Sequence, residues 1–88
     1  MPPSDYNENY GQVKRIYARH NGVCFDLKLG KKGMNPRYYF IKKTHANYSA
    51  LVALLYMAAN LGYVIYARTM DALDANNEAE VTYLVVDW

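Results

Sequence analysis

The stretch NYSALVALLYMAANLGYVIYA, residues 47–67, joins a helix to a strand without a single charged side chain. Its apolar residues recur at helical spacing over 47–61, so we expect a helix there. Asn47 is placed to act as its N-cap, and Gly62 to end it in a left-handed C-cap. Because a surface helix of a small domain normally has one charged face, we must ask what covers the outer side of this one.

Three strands are predicted before the helix. The first covers 11–19 (GQVKRIYAR), which follows a polar N-terminal arm at 1–10 and ends at a turn over 20–22. The second covers 23–29 (VCFDLKL), where apolar residues alternate with other residues as in a half-buried strand. A loop with two glycines and a proline separates it from the third strand, 37–43 (RYYFIKK).

Two strands are predicted after the helix, at 63–70 (YVIYARTM) and 81–88 (VTYLVVDW), with an acidic loop at 71–80 between them. Three strands, one helix and two further strands is the element order of the OB-fold, a five-stranded, partly open Greek-key barrel. We therefore predict a mainly β, OB-fold-like domain over 11–88. A split β-α-β or ferredoxin-like arrangement remains an alternative, for which the acidic loop would have to supply a second helix.

The predicted helix has two different sides. At a hundred degrees per residue, one side would close the end of the barrel; it carries Leu51, Leu54, Leu55, Ala58 and Leu61. The opposite side carries Ser49, Ala53, Tyr56, Met57 and Asn60. That side is either a weakly polar exposed face or an interface with another protein. Depletion of charge together with tyrosine and methionine favours the interface.

These elements resemble a known family. A small OB-fold that begins G-x-V-x-x-I-Y at 11–17, has YYFI at 38–41 and runs from ALVALLYMAANLG (50–62) into YVIYA resembles the B subunits of AB5-type bacterial toxins, the pertussis-like and subtilase-type members above all. The chain differs from their pattern in having one cysteine and, as it stands, no apolar leader. It would be cytoplasmic if Met1 is the native start, and secreted if a leader has been removed.

The resemblance implies a non-enzymatic, homopentameric ring in which helices line the pore and edge strands pair between neighbours. It also implies glycan binding by the barrel. The candidate glycan residues are Arg37, Tyr38 and Tyr39, because an exposed tyrosine beside a polar turn can hold a sugar ring. Since neighbouring residues of a strand point to opposite faces, one of the two tyrosines should lie in the core.

The distribution of charge suggests an alternative function. Residues 14–43 hold nine basic side chains against one acidic one, a net +8, whereas residues 44–88 hold one against five, a net −4. OB-folds that bind single-stranded nucleic acid combine a basic groove with aromatic stacking platforms, and Lys14, Arg15, Lys42 and Lys43 would contact the phosphates. The whole chain carries only +2, with a pI of about 8.7, which favours the ring. The opposite charges of the two halves could instead pair between neighbouring subunits.

Other classes of function find little support in the residues. His20 and His45 lack the spacing of metal ligands, and Asp71 and Asp74 have no base beside them, so we expect no enzyme, metal or cofactor. The uncharged run is too short and too interrupted to span a bilayer, which needs ~20 apolar residues. The lone Cys24 excludes an internal disulfide and is expected to be a small buried hydrophobe.

Overall fold

A computed structural model describes residues 8–29, 38–70 and 78–86 of the chain. Its elements are β1 (Glu8–Arg19), β2 (Gly22–Leu29), β3 (Tyr38–Lys42), α1 (Tyr48–Leu61), β4 (Val64–Thr69) and β5 (Glu78–Val86). The strands form a closed barrel in the order β1-β2-β3-β5-β4, in which β3 and β5 are parallel and all other neighbours are antiparallel. The predicted OB-fold-like barrel, with its helix between the third and fourth strands, is confirmed.

The core fills the inside of the barrel with alternate residues of each strand. On β2 these are Val23, Phe25 and Leu27, the predicted apolar face of that strand. Tyr39 of β3 is fully buried, and its ring stacks on Phe25 with 5.1 Å between the ring centroids. Burial raises the pKa of Tyr39 to about 12, against the opposing effect of a hydrogen bond donated by Asn9.

The first strand begins earlier than the sequence indicated. We predicted a polar arm over 1–10, but β1 starts at Glu8 and pairs its first residues with β4. The polar residues there have partners inside the structure: Asn9 Nδ2 donates to the Tyr39 hydroxyl at 2.8 Å, and the Tyr10 ring stacks on Tyr66 at 5.3 Å. Polar composition therefore did not prevent these residues from forming a strand.

Two bulges set which side chains point outward. An irregularity between Val13 and Arg15 adds one residue to β1 where it pairs with β2. As a result, Arg15, Tyr17 and Arg19 point to the outside of the barrel. A second one lies where β4 pairs with β5, and there the Thr82 hydroxyl donates to the Arg68 carbonyl at 3.0 Å. The bulges leave the core alternation intact while redirecting the outer residues.

The helix lies across one opening of the barrel, since it contacts β1, β3, β4 and β5. On the side of the helix that faces the barrel, Leu51, Leu55 and Ala58 are buried, as predicted, and Leu54 is half-buried. The prediction for Leu61 was wrong, because 55 % of this residue is exposed. Leu61 is the last residue of the helix, and Gly62, directly after it, ends the helix in a left-handed conformation with φ of 74°.

A histidine organises the start of the helix. Asn47 is the N-cap residue, as predicted, but its side chain makes no capping hydrogen bond. Instead, its backbone N–H donates to His45 Nδ1 at 2.9 Å, and His45 Nε2 lies 2.9 Å from the Thr82 carbonyl oxygen. Because Nδ1 accepts, the neutral ring carries its proton on Nε2 and donates it to β5. His45 thus ties the helix start to the barrel.

Candidate interaction surfaces

The outer surface of β1, β2, β3 and β5 is the charged face of the barrel. Its charged side chains are Arg15, Arg19, Asp26, Lys28, Lys42, Glu78 and Glu80. Acidic and basic groups alternate there across neighbouring strands: Arg15 lies opposite Asp26, and Lys42 Nζ is 3.5 Å from a Glu80 carboxylate oxygen. The basic half of the sequence is therefore partly neutralised by the acidic half within one chain.

Arg19 is the centre of this face. Its guanidinium donates to both carboxylate oxygens of Glu78, at 2.8 and 3.4 Å, and this hydrogen bonding raises the pKa of Arg19. The same group lies 4.6 Å from the Phe40 ring centroid and 5.9 Å from that of Tyr38. Its Nε is buried without a hydrogen-bond partner. The cation therefore covers the aromatic surface that a base would need for stacking.

Cys24 lies beneath the charged face. It is fully buried on the outer side of β2, opposite Tyr17, although it is not part of the inner core. Burial raises the pKa of its thiol, while Arg19 opposes that effect. Partial burial, with Cys24 and Tyr38 nearby, also raises the pKa of Tyr17 to about 12. Both groups are protonated at neutral pH, so Cys24 acts as a small buried residue, as predicted.

The predicted glycan residues are not brought together as an exposed site. Tyr39 is the tyrosine of the pair that lies in the core, so it has no surface to offer a ligand, and its place in the predicted site is wrong. Tyr38 points outward, half-buried, with its ring edge-on to Tyr17 at 5.6 Å. Arg37 lies outside the described residues. Of the two described residues, only Tyr38 is placed where a sugar could approach.

The predicted phosphate-binding residues lie at two separate places. Lys14 and Arg15 are exposed at the bulge of β1, while Lys42 and Lys43 are exposed at the end of β3. By the spacing of strands and residues, the two pairs are roughly 16 Å apart. Lys42 is also paired with Glu80, and Asp26 lies between the two places. The residues expected to form one basic groove therefore form two small patches separated by acidic groups.

The outer side of α1, which we call the helix face, consists of Ser49, Ala53, Tyr56, Met57 and Asn60. All of them are exposed except Met57, which is half-buried, and 46 % of Tyr56 is accessible. The first turn of the helix has no acidic residue and the last turn has no basic one. The structure thus places the predicted interface residues on a surface without charge.

A second, largely apolar surface, which the sequence did not predict, lies on the outer side of β4 and the end of β5, with Arg68 as its one charged neighbour. We call it the apolar sheet face; its residues are Val64, Tyr66, Tyr83 and Val85. The exposed fractions are 36 % for Val64, 46 % for Tyr83 and 39 % for Val85. The available signal was that both faces of the predicted strands at 63–70 and 81–88 carry large apolar residues, more than a half-buried strand needs.

The structure describes the two histidines but not the two aspartates that were considered for catalysis or metal binding. Within the described residues, no group of three histidine, cysteine or acidic side chains is placed to hold a metal ion. His20 is exposed in the turn between β1 and β2, and His45 is used to tie α1 to β5. Asp71 and Asp74 lie outside the described residues.

Comparisons with known proteins found no match, either to the models of protein families or among curated proteins. Among the described residues, no helix combines the length and the apolar character needed to cross a membrane.

Proposed function

We propose that this chain is a self-associating OB-fold module that forms a closed ring, most simply a homopentamer, through its helix face. The proposal follows the toxin B-subunit resemblance of the sequence. The observation that carries it is the absence of charge on the exposed side of α1, where a surface helix of a monomer would normally carry its polar groups.

The distribution of exposed apolar side chains supports this proposal. Seven large hydrophobic residues are exposed in the described part of the chain, and six of them lie on α1, on β4 and β5 or just after β4. These six are Tyr56, Leu61, Val64, Met70, Tyr83 and Val85. The charged residues lie mainly on the other side of the barrel. Clustered apolar exposure of this kind marks a surface that meets another protein.

The energetics of a small domain favour association as well. A core of this size supplies only a few kcal/mol of stability alone. Covering apolar area contributes about 25 cal/mol for each Å² removed from water. Burial of the helix face against a second copy would therefore add to the stability of the fold and of the assembly.

The test is a charge placed on the helix face. Met57→Glu should reduce the sedimenting mass to that of one chain, because an unpaired carboxylate would have to be buried in the contact. Tyr56→Glu, at a more exposed position, should do the same with less effect on folding. Far-ultraviolet circular dichroism should show an unchanged fold for both.

Asn21→Glu is the matched control, since it adds the same charge in an exposed turn where the backbone carbonyl, not the side chain, bonds to Lys43. It should keep the parental mass. Helix-face variants that are folded and still sediment like the parent would rule out the helix face as the interface.

A further inference from the structure

We infer that the apolar sheet face of one copy receives the helix face of the next, so that the contact is head-to-tail. This inference rests on the proposed self-association and adds to it the identity of the second surface. In such a contact, each chain contributes two different patches, α1 to one neighbour and β4–β5 to the other. Contacts of this kind either close into a ring or extend into a filament.

The apolar sheet face is continuous across two strands. Tyr66 lies opposite Val85 in the pairing of β4 with β5, and Arg68 lies opposite Tyr83, so these four residues share one outer face. On its other side, Tyr66 stacks against Tyr10 of β1. Arg68 is the one charged residue among the outward positions of β4 and of β5 from Tyr83 to Val85; Glu78 and Glu80, nearer the start of β5, belong to the charged face. Its composition therefore matches the core of an interface better than a solvated sheet.

The dimensions of the two faces agree. A helix of 14 residues is ~21 Å long. The six residues of β4 extend for ~20 Å, at about 3.3 Å per residue. The width of a helix, ~10 Å, matches about two strand spacings of ~4.8 Å. Helix α1 of a neighbour would therefore cover β4 from end to end, together with the part of β5 that pairs with it.

The charges of the two faces are complementary. The C-terminal end of a helix carries a partial negative charge, and the last turn of α1 has no basic side chain of its own to offset it. Arg68, on the apolar sheet face, would supply a cation to that end of the neighbouring helix. No carboxylate lies on the helix face or among Val64, Tyr66, Tyr83 and Val85, and Glu80, further along β5, is paired with Lys42.

The area needed also favours two different faces over a pair of helices. A stable interface buries about 800 Å² on each partner, which is roughly a seventh of the 5482 Å² surface of this chain. Two helices that cross contact each other only along a narrow strip of their surfaces, which buries little area. A helix that lies along a sheet contacts the sheet on both sides of its axis, and Leu61 at its end would extend the contact.

A mixing experiment tests the inference. Tyr56→Glu removes the helix face and Tyr83→Glu removes the apolar sheet face, and each variant alone should sediment as one chain of 10.1 kDa. Mixed in equal amounts, they should form a heterodimer of two chains and nothing larger. The unaltered helix face of Tyr83→Glu then contacts the unaltered apolar sheet face of Tyr56→Glu. The two faces that remain carry the substitutions and cannot extend the assembly.

Three results would overturn the inference. If folded Tyr83→Glu keeps the parental mass, the sheet face is not used, although self-association through α1 would stand. If both variants are single chains and their mixture also stays so, the contact is not head-to-tail between these faces. If the parent itself is a single chain, the proposed function fails as well. Met57→Glu with Val85→Lys provides a second pair of variants should either tyrosine variant fail to fold.

Discussion

At the scale of single residues, Arg19 decides the character of the charged face. The sequence places it in a strongly basic segment rich in aromatic residues, which suggested a surface for nucleic acid. Its partner Glu78 is 59 positions away along the chain, and the pairing of β3 with β5 brings the two together. Sequence patterns over short windows cannot show that a cation already covers the rings beside it.

Tyr39 gives a prediction about alkaline pH. Its pKa is raised from 10.0 to about 12 by burial, so the folded state holds this proton more tightly than the unfolded chain does. The stabilising contribution is then complete below about pH 10 and is lost as the pH rises toward 12. For a fully buried group, two pKa units correspond to roughly 2–3 kcal/mol.

When the pH is raised from about 9 to about 11.5, we expect the free energy of unfolding to fall less in Tyr39→Phe than in the parent. Urea unfolding at the two pH values measures this difference. The variant should be less stable by about 1 kcal/mol at the lower pH, because the Asn9 amide loses its acceptor. An equal alkaline loss in Tyr39→Phe and in the parent would contradict this explanation.

At the scale of the elements, much of the structure was predictable. The alternation of β2 and the left-handed Gly62 at the end of α1 are local signals, and both were read correctly from the sequence. The start of β1 was missed because its polar residues find partners on β3 and β4, far along the chain. The exposure of Leu61 was missed because helical periodicity does not show where the barrel ends.

The start of α1 gives a matched pair of variants. His45→Ala should lower the free energy of unfolding by about 1–3 kcal/mol, because the Asn47 N–H and the Thr82 carbonyl both lose a hydrogen-bond partner. Asn47→Ala should change it by less than about 0.5 kcal/mol, since that side chain makes no cap bond. Denaturant unfolding of both variants tests this; a larger loss for Asn47→Ala than for His45→Ala would show that the helix is capped in the ordinary way.

At the scale of the whole molecule, the barrel separates charge from apolar surface. The two halves of the sequence have opposite net charge, but strand pairing brings them onto one face, where Arg19 and Lys42 meet carboxylates of β5. On α1, on β4 and on β5 from Tyr83 to Val85, the outward side chains are uncharged except that of Arg68, and these are the surfaces that we propose to meet in the assembly. The sequence predicted the helix face because one helix contains it, and it missed the apolar sheet face because that face combines residues of two separate strands.

The central claim, self-association, is tested most directly by sedimentation equilibrium of the unmodified chain at micromolar concentration. We expect a mass of several chains of 10.1 kDa each, and a ring of five copies would have a mass of about 50 kDa. A mass of one chain at every concentration up to about 100 μM, where an interface of standard size should form, would contradict the claim.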